Sequence, residues 1–251
     1  MRPAWFAKAA LQQKRGTMKF ENKINILHLI EGAKQAEGLT VIIDVFRAFS
    51  LECYLHHMGV KKIRPIGTVE EAFRLHEIIP DSLLVGERGG KKCEGFDFGN
   101  SPSSVSPEKV GGKTILHTTS AGTQGIVNAK GASEIITGSL VNAKAIAAYI
   151  MKKQPEVVSL VCMGNGGVRP AAEDELCAEY IKSILEGNEM PDIAQRVAGL
   201  QQHGGEHFFN PDTQEIYPEP DFWLCIQYNR FPFVIRVERD ELGFVSEKVE
   251  L

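Results

Sequence analysis

Short apolar runs alternate with stretches of helical period along most of this chain. The run at residues 39–45 is almost continuously apolar, which is typical of a strand covered on both faces. Similar runs at 24–29, 61–66, 82–85, 114–117, 134–137 and 157–162 are separated by helical stretches that include 69–79, 122–129, 142–153 and 171–185. This alternation predicts an α/β fold of three layers, α/β/α, around a largely parallel or mixed sheet.

Two segments depart from the alternation. Residues 86–109 have neither a helical nor a strand period, and loops of such length in compact domains are usually functional or disordered. We expect this loop to be functional. Near the end, β-rich runs at 233–237 and 244–246 flank Asp240-Glu241-Leu242-Gly243, a pattern that predicts a C-terminal β-hairpin.

Charge and cysteine content exclude several classes of protein. The 251 residues include 28 Lys and Arg against 32 Asp and Glu, a formal net charge of −4, which disfavours non-specific binding of nucleic acid. Any anion site must therefore be a local pocket. The five cysteines are scattered without a C-x-x-C pair, which favours neither a disulfide framework nor a zinc site and predicts free thiols in the cytoplasm.

The first 17 residues differ from the rest of the chain. They contain four basic residues and no acidic one, but no apolar run long enough for a signal peptide or a membrane span. We expect residues 1–17 to be a disordered arm or an over-long gene start, and we expect no membrane partner. Residues 18–251 are expected to form one α/β domain, with a division into two subdomains as the alternative.

The residues that follow each strand are the first candidates for chemistry, because ligands of open α/β sheets bind beyond the carboxyl ends of the strands. Asp44 ends the apolar part of the run 39–45, and Arg47 begins the next helical stretch. A buried carboxylate needs a cation or a metal ion, although a structural Asp44–Arg47 pair or a helix N-cap would serve equally well. Glu87 and Arg88 repeat the acid–arginine pattern after the run 82–85.

The loop after Arg88 contains the string Gly95-Phe96-Asp97-Phe98-Gly99-Asn100-Ser101-Pro102. Its glycines would allow a ligand to approach the backbone closely, and Glu87, Asp97 and Asn100 offer oxygen ligands that suit Mg²⁺. A glycine-rich surface loop with solvated charges is the alternative.

Two further junctions join a strand to a helix. Hydroxyl residues cluster in His117-Thr118-Thr119-Ser120-Ala121-Gly122-Thr123, where free N–H groups and the helix dipole would cradle a phosphate, although ordinary N-capping explains the same residues. The string Met163-Gly164-Asn165-Gly166-Gly167-Val168-Arg169 precedes Glu173 and Asp174 in the first turn of a helix. Acids in that position either serve a metal or complement the helix dipole.

Several familiar motifs fail on inspection. Gly112-Lys113-Thr114 matches the end of a P-loop, but Pro107 stands where the first glycine is required. Gly164-Asn165-Gly166 lacks the third glycine of the dinucleotide fingerprint, because Arg169 occupies its position. No G-x-S-x-G elbow and no H-E-x-x-H helix is present in the sequence.

In order and spacing, the junctions resemble the 2-phosphosulfolactate phosphatase (ComB-like) family over about residues 25–245. The strings that carry the resemblance are Val41-Ile42-Ile43-Asp44-Val45-Phe46-Arg47-Ala48, Gly86-Glu87-Arg88, the string 95–102, Thr118-Thr119 with Gly122-Thr123, and Glu173-Asp174-Glu175-Leu176-Cys177. The string 95–102 is the most specific of them. The resemblance implies a Mg²⁺-dependent acid phosphatase of α/β fold that cleaves 2-phosphosulfolactate to sulfolactate and phosphate on the route to coenzyme M.

The residues themselves agree with that reaction class. Several carboxylates would hold Mg²⁺, and since they are more than one ion requires, one of them would act as a general base or a nucleophile. Arginines would clamp the anionic groups of the substrate, and hydroxyl and backbone N–H groups would cradle its phosphate. The predicted catalytic residues are Asp44, Arg47, Glu87, Arg88 and Asp97, and the predicted metal ligands are Asp44, Glu87, Asp97, Glu173 and Asp174. The predicted substrate-binding residues are Asn100, Ser101, Thr118, Thr119, Ser120, Gly122, Thr123, Asn165 and Gly166.

Two other classes of function stay open at this point. One is a module that binds a small anion without turnover, and the other is a nucleotide-dependent transferase that uses the glycine-rich loop at 164–167. The expected partner is a small anionic phosphorylated molecule, and a homo-oligomer is the other association that we expect.

Overall fold

The computed structural model describes residues 19–188 and 190–251. The predicted leader at residues 1–17 lies outside the described residues. None of the helices in the described ranges combines the length and the apolar character that crossing a bilayer requires.

Strands and helices alternate along the described chain up to residue 185. The strands are β1 (Lys23–His28), β2 (Gly38–Ile43), β3 (Lys62–Pro65), β4 (Ser82–Arg88), β5 (Lys91–Lys92), β6 (Thr114–Thr118), β7 (Ala132–Gly138), β8 (Val157–Cys162), β9 (Phe233–Asp240) and β10 (Gly243–Glu250). The α-helices are α1 (Leu29–Gln35), α2 (Ala48–His57), α3 (Val69–Ile78), α4 (Pro107–Val110), α5 (Gly122–Asn128), α6 (Ala143–Lys153), α7 (Ala172–Leu185), α8 (Ile193–Gly199) and α9 (Glu219–Cys225). Short 3₁₀ turns lie at Pro102–Ser104, Leu140–Asn142, Glu206–Phe208 and Pro211–Thr213.

The strands form one mixed sheet in the order β1-β8-β2-β7-β9-β10-β3-β6-β4-β5. Strands β1, β8, β2 and β7 are mutually parallel, and so are β3, β6 and β4. The antiparallel hairpin β9–β10 stands between these two parallel groups. The predictions of an α/β fold, a mixed sheet and a C-terminal hairpin are therefore confirmed. The hairpin, however, lies in the middle of the sheet rather than at its edge.

The two parallel groups run in opposite directions along the sheet, because three antiparallel pairings separate them. In a flat sheet their carboxyl ends would lie at opposite edges. The junction between β10 and β3 consists of the single pair Ser246 and Ile63, so the sheet can bend there. Residues at the carboxyl ends of both groups line one pocket, which shows that the two groups face each other across it.

Helix α2 connects the two groups, since it follows β2 and precedes β3. All eight residues from Ala48 to Leu55 are buried, as expected for a helix with neighbours on every side. Phe49 packs with the first group and Leu55 with the second, while Tyr54 contacts the aromatic residues near β9. Glu52 is the charged residue in this buried stretch.

The segment after α8 folds onto the first parallel group. Phe208 and Phe222 are fully buried in the largest apolar cluster, together with residues of β2, β8, α6 and α7. Arg47 packs against this segment, and its guanidinium carbon lies 5.0 Å from the centre of the Tyr217 ring. Aromatic packing of this kind places a segment without long helices against one wall of the pocket.

The expectation that residues 86–109 carry no regular structure needs correction. Strand β4 continues to Arg88 and pairs with β5, and a 3₁₀ turn and α4 follow before β6. Phe98 forms an isolated parallel bridge to Val85, so the string 95–102 lies beside the edge of β4. Backbone hydrogen bonds at a sheet edge ordered this segment without leaving a periodic pattern in its side chains.

Candidate active site

A pocket of about 410 Å³ lies between the two parallel groups, at the ends of β2, β4, β6 and β8. Its walls come from five separate parts of the chain. The lining residues are Asp44, Phe46, Arg47, Glu87, Gly89, Gly90, Asn100, Ser120, Ala121, Gly164, Asn165, Gly166, Val168, Arg169, Glu173, His207 and Tyr217.

Asp44 follows β2 and is almost completely buried at the floor of this pocket. Its Oδ1 accepts a hydrogen bond from the backbone N–H of Ala48 at 3.3 Å. A Cβ atom at position 122 would lie 3.0 Å from Oδ2 of Asp44 and 2.9 Å from the Phe49 ring, so the approach of α5 requires glycine there. Burial, and after it the negative charge of Glu87, raise the pKa of Asp44 to about 7.

Glu87, near the end of β4, is held by its neighbours. Its Oε1 accepts the backbone N–H of Ser120 at 2.6 Å, and its Oε2 accepts the N–H of Gly90 at 2.7 Å and the Ser120 hydroxyl at 3.1 Å. These bonds fix the carboxylate between β4 and the β6–α5 junction. The orientation of the Glu87 carboxylate in the pocket is therefore fixed before any ligand binds.

Glu173, in the first turn of α7, is the third carboxylate of the pocket. It is 7% exposed, and its side chain makes no hydrogen bond within the described ranges. Burial, and after it the charges of Asp44 and Glu206, raise the pKa of Glu173 to about 7. The backbone N–H of Glu173 itself opposes this rise but does not offset it. A buried carboxylate with so little compensation is stabilised by a proton or a cation.

Asp174 is adjacent to Glu173 in sequence but serves a different purpose. Its Oδ1 accepts the N–H of Val45 at 2.8 Å, and its Oδ2 accepts the N–H of Gly164 at 2.7 Å. Asp174 therefore ties the end of β2 to the end of β8 and does not line the pocket. Burial raises the pKa of Asp174 well above its ordinary value.

Arg47 is buried beside the pocket and is engaged by protein groups. It donates to Oδ2 of Asp221 at 2.7 Å and to the carbonyl of Gly90 at 3.3 Å. Oδ1 of Asp221 in turn accepts the hydroxyl of Ser101 and the backbone N–H of Ser103, each at 2.9 Å. The predicted substrate-binding residue Ser101 thus stabilises the arginine rather than lining the pocket.

The glycine-rich loop after β8 forms the rim. Asn165 donates its backbone N–H to the carbonyl of Arg169 at 2.7 Å, which closes a tight turn. Gly164 has a φ of +63°, and a Cβ there would stand 2.1 Å from the Arg169 carbonyl, so no other residue fits. The side chain of Arg169 is exposed, lines the pocket and makes no hydrogen bond or ion pair within the described residues.

The structure does not bring Asp97 and Arg88 into this pocket. Asp97 is exposed, and its Oδ2 accepts the N–H of Leu84 at 2.8 Å, because the loop lies beside β4. Arg88 is also exposed and donates to the Thr118 hydroxyl at 2.9 Å. It points outward from the end of β4 into a neighbouring depression, since successive residues of a strand face opposite sides.

Most hydroxyl groups of the predicted phosphate cradle form hydrogen bonds with other groups of the protein. Thr123 donates its hydroxyl to the carbonyl of Thr119, and Thr119 accepts the N–H of Thr123, each at 3.0 Å. Thr118 serves Arg88, as described above. Of the hydroxyl residues in this junction, Ser120 is the one that lines the pocket, and it is bonded to Glu87.

Nine lining residues were not among the predicted site residues: Phe46, Gly89, Gly90, Ala121, Gly164, Val168, Arg169, His207 and Tyr217. Phe46 and Arg169 belong to strings that the sequence had singled out. His207 and Tyr217 come from the aromatic segment after α8, where no motif marks them. Burial, and after it the charge of Arg47, lower the pKa of His207.

The three carboxylates give the pocket the chemistry of a cation site. Two of them have pKa values that burial raises, so a divalent cation would offset an existing cost of burying charge. Within the described ranges, the ligand atoms that lie within 4.8 Å of one another belong to His28, Cys162 and Glu175, away from the pocket. The carboxylates of the pocket are not part of that group.

The fold and this pocket define an α/β enzyme whose carboxylate-lined active site lies at the carboxyl ends of parallel strands. The family model of 2-phosphosulpholactate phosphatase matches residues 24–239. The chain belongs to the 2-phosphosulfolactate phosphatase family, and it is a phosphatase, which hydrolyses phosphoric monoesters.

Curated relatives share most of their length with this chain. A protein of Caldicellulosiruptor saccharolyticus is 38% identical over 184 residues, which are 72% of this chain and 75% of the relative. A Clostridium perfringens protein is 36% identical over 227 residues, or 85% and 91% of the two chains. A Bacillus subtilis protein is 29% identical over 204 residues, or 80% and 88%. Each of the three is named probable 2-phosphosulfolactate phosphatase.

Proposed function

We propose that this protein is a Mg²⁺-dependent phosphatase that hydrolyses 2-phosphosulfolactate, or a closely related phosphorylated hydroxy acid, to sulfolactate and phosphate. The observation that carries the proposal is the convergence of Asp44, Glu87 and Glu173 on one pocket. The names of the relatives support the choice of substrate. The part played by this reaction in forming coenzyme M and the cytoplasmic location stay predictions.

The metal would be held by Asp44, Glu87 and Glu173, directly or through water. Carboxylate oxygens are the ligands that Mg²⁺ prefers, and Glu87 is already oriented by Ser120 and Gly90. When bound, the ion would polarise a phosphoryl oxygen and neutralise negative charge as the ester bond breaks. Asp97 and Asp174 are left out of this ligand set, because neither lines the pocket.

The residues of the chain would bind and orient an anionic substrate. Arg169 is the unpaired cation at the rim among the described residues, so it would bind a carboxylate or sulfonate of the substrate. Arg47 adds positive charge at the opposite wall, but Asp221 holds its guanidinium in place. The pocket is 410 Å³ in volume, which suits a small metabolite rather than a polymer.

The experiment is phosphate release from a panel of phosphorylated hydroxy acids, with and without a sulfonate group, across Mg²⁺ concentrations. We expect hydrolysis that saturates with substrate, requires Mg²⁺ and is fastest with the sulfonated member. Equal rates for all members would remove the sulfonate from the proposal. Saturable binding without phosphate release would favour the small-anion binding module, and turnover only with a nucleotide would favour the transferase.

A further inference from the structure

A chain of three buried polar residues leads from helix α2 to the pocket. Oε1 of Glu52 lies 2.9 Å from Nδ1 of His117, and Nε2 of His117 lies 2.9 Å from Oδ1 of Asn100. Glu52 and His117 are fully buried and do not line the pocket. Asn100 is 4% exposed and does line it.

Burying these three polar side chains costs the folded state free energy. Glu52 lies in a helix whose other buried residues are mostly apolar, and its Oε2 has no hydrogen-bond partner within the described residues. A buried carboxylate–histidine pair is commonly no more stabilising than apolar residues of similar volume. A buried polar atom without a partner calls for an explanation other than stability.

The structure places Oδ1 of Asn100, rather than its amide nitrogen, against Nε2 of His117. An amide oxygen only accepts, so Nε2 of His117 carries a proton and donates it. A second proton is shared in the hydrogen bond between Nδ1 of His117 and Oε1 of Glu52, and either atom can carry it. The amide nitrogen of Asn100 consequently faces away from His117, and it makes no hydrogen bond within the part of the chain that the structure describes.

We propose that Glu52 and His117 are positioning residues that hold the Asn100 amide with its N–H donors directed into the pocket, where they bind an oxygen of the phosphorylated substrate. The inference rests on the proposed function for the identity of that anion. Glu52 acts through His117 by keeping the ring supplied with a proton at Nε2. In a pocket rich in carboxylates, such a fixed donor favours an anion where a freely rotating amide would turn its oxygen toward a cation.

Two substitutions at His117 separate this role from a merely structural one. In His117→Gln the side-chain amide reaches about as far as Nε2 did and can still donate to Asn100. In His117→Asn the amide reaches about as far as Nδ1 did, so the contact with Glu52 survives and the contact with Asn100 is lost. We expect KM to stay within about threefold of wild type in His117→Gln and to rise about tenfold or more in His117→Asn.

The matched pair has a clear opposite outcome. Because both variants remove the imidazole, a structural role predicts similar losses of melting temperature and of activity in the two. Equal KM values in the two variants, or a larger rise in His117→Gln, would overturn the proposal. The kcat values should change less than KM, since the amide is expected to contribute to binding of the anion.

Binding of inorganic phosphate in the presence of Mg²⁺ tests the same point without turnover. Asn100→Asp has nearly the same shape but lacks the N–H donors, so we expect phosphate affinity to fall about tenfold or more by calorimetry. Tighter Mg²⁺ binding with unchanged phosphate affinity would show that the amide oxygen faces the pocket and would overturn the proposal. If the variants change phosphate binding as expected but the wild-type protein hydrolyses none of the substrates, the proposed function fails and the role of the Asn100 amide stands.

A measurement on the wild-type protein does not depend on any variant folding. Nitrogen NMR of the His117 ring should show a protonated Nε2 across the pH range in which the protein is folded. An unprotonated Nε2 would mean that Asn100 donates to the ring, which is the reverse of the proposed orientation.

Discussion

The two walls of the pocket hold carboxylates of the same kind in different ways. On the wall made by β4 and the β6–α5 junction, Glu87 accepts hydrogen bonds from two backbone N–H groups and a hydroxyl. On the wall made by the end of β2 and the start of α7, Asp44 has few donors and Glu173 has none among the described residues. Both residues of the second wall have a pKa raised to about 7.

This difference separates two tasks. Donors around Glu87 fix the orientation of its carboxylate, so that wall is organised before a ligand binds. On the opposite wall, burying the negative charges of the carboxylates costs free energy. Protonation or a bound cation lowers that cost. A metal-dependent site gains from such a division, because one wall provides fixed geometry and the other provides affinity for the ion.

The largest effect is expected from Asp44→Asn, which removes one charge from the second wall. We expect activity at saturating Mg²⁺ to fall by about 10²–10³-fold or more, because a ligand of the ion and its charge are lost together. The fold should survive, since the amide costs less to bury than the carboxylate. Steady-state phosphate release measures the loss of activity, and circular dichroism checks that the variant is folded. Near-normal turnover would remove Asp44 from the mechanism.

The next effect concerns the stability of the metal-free protein. Asp44 and Glu173 have ordinary pKa values near 4 when unfolded and of about 7 when folded, so the folded state binds more protons between these values. The free energy of unfolding should therefore decrease as pH rises from about 4 to about 7, by roughly 2–4 kcal/mol for the two groups together, since the charge of Asp44 is itself one cause of the raised pKa of Glu173. Urea unfolding in EDTA between pH 5 and pH 8 measures it.

Glu173→Gln sharpens this experiment, because it removes the titration of one wall residue. The variant should lose less stability than wild type over the same pH interval, whereas Glu94→Gln, at an exposed position outside the pocket, should follow the wild-type curve. Added Mg²⁺ should restore more stability to wild type at pH 8 than at pH 5. Parallel curves for wild type and Glu173→Gln would contradict the account of this wall.

Residues that follow strands were the part of the site that sequence reasoning could find. Asp44, Glu87 and Glu173 were predicted because ligands of α/β sheets bind beyond the carboxyl ends of the strands. Their meeting in one pocket also requires the two oppositely directed parallel groups to face each other, which the sequence did not indicate. Asp97 carried an equally good signal, but its loop lies beside β4 and pairs with it, and no pattern in the side chains encodes that path. A motif places residues near each other in the chain, while hydrogen bonds of the backbone decide which way the loop turns.

Non-local packing explains what sequence reasoning missed. His207 and Tyr217 enter the pocket because aromatic residues after α8 are buried against the first parallel group. The central position of the β9–β10 hairpin depends on pairing with strands about 100 residues or more away. Glu52 stood in a helical stretch where its spacing gave no sign of His117, which is 65 positions further along. Each of these contacts depends on the whole fold rather than on a local pattern.

A smaller effect is expected for Asp174→Asn, the neighbour of Glu173 that belongs to neither wall. An amide can accept from one of the two N–H groups of Val45 and Gly164 but sets its own N–H against the other. We expect a loss of about 1–3 kcal/mol in the free energy of unfolding, with the metal affinity of the refolded fraction little changed. Loss of metal binding without loss of stability would instead place Asp174 among the ligands.

The smallest effects are expected from Asp97→Asn and Arg88→Lys, although the sequence alone marked both residues as catalytic. Asp97 bonds to the backbone of Leu84, and Arg88 to Thr118, outside the pocket that the two walls enclose. Since neither side chain reaches the pocket, we expect kcat/KM to stay within about threefold of wild type, which is about 0.7 kcal/mol in transition-state free energy. A loss of about 100-fold in Asp97→Asn would mean that the loop closes over the substrate and adds a third wall to the site.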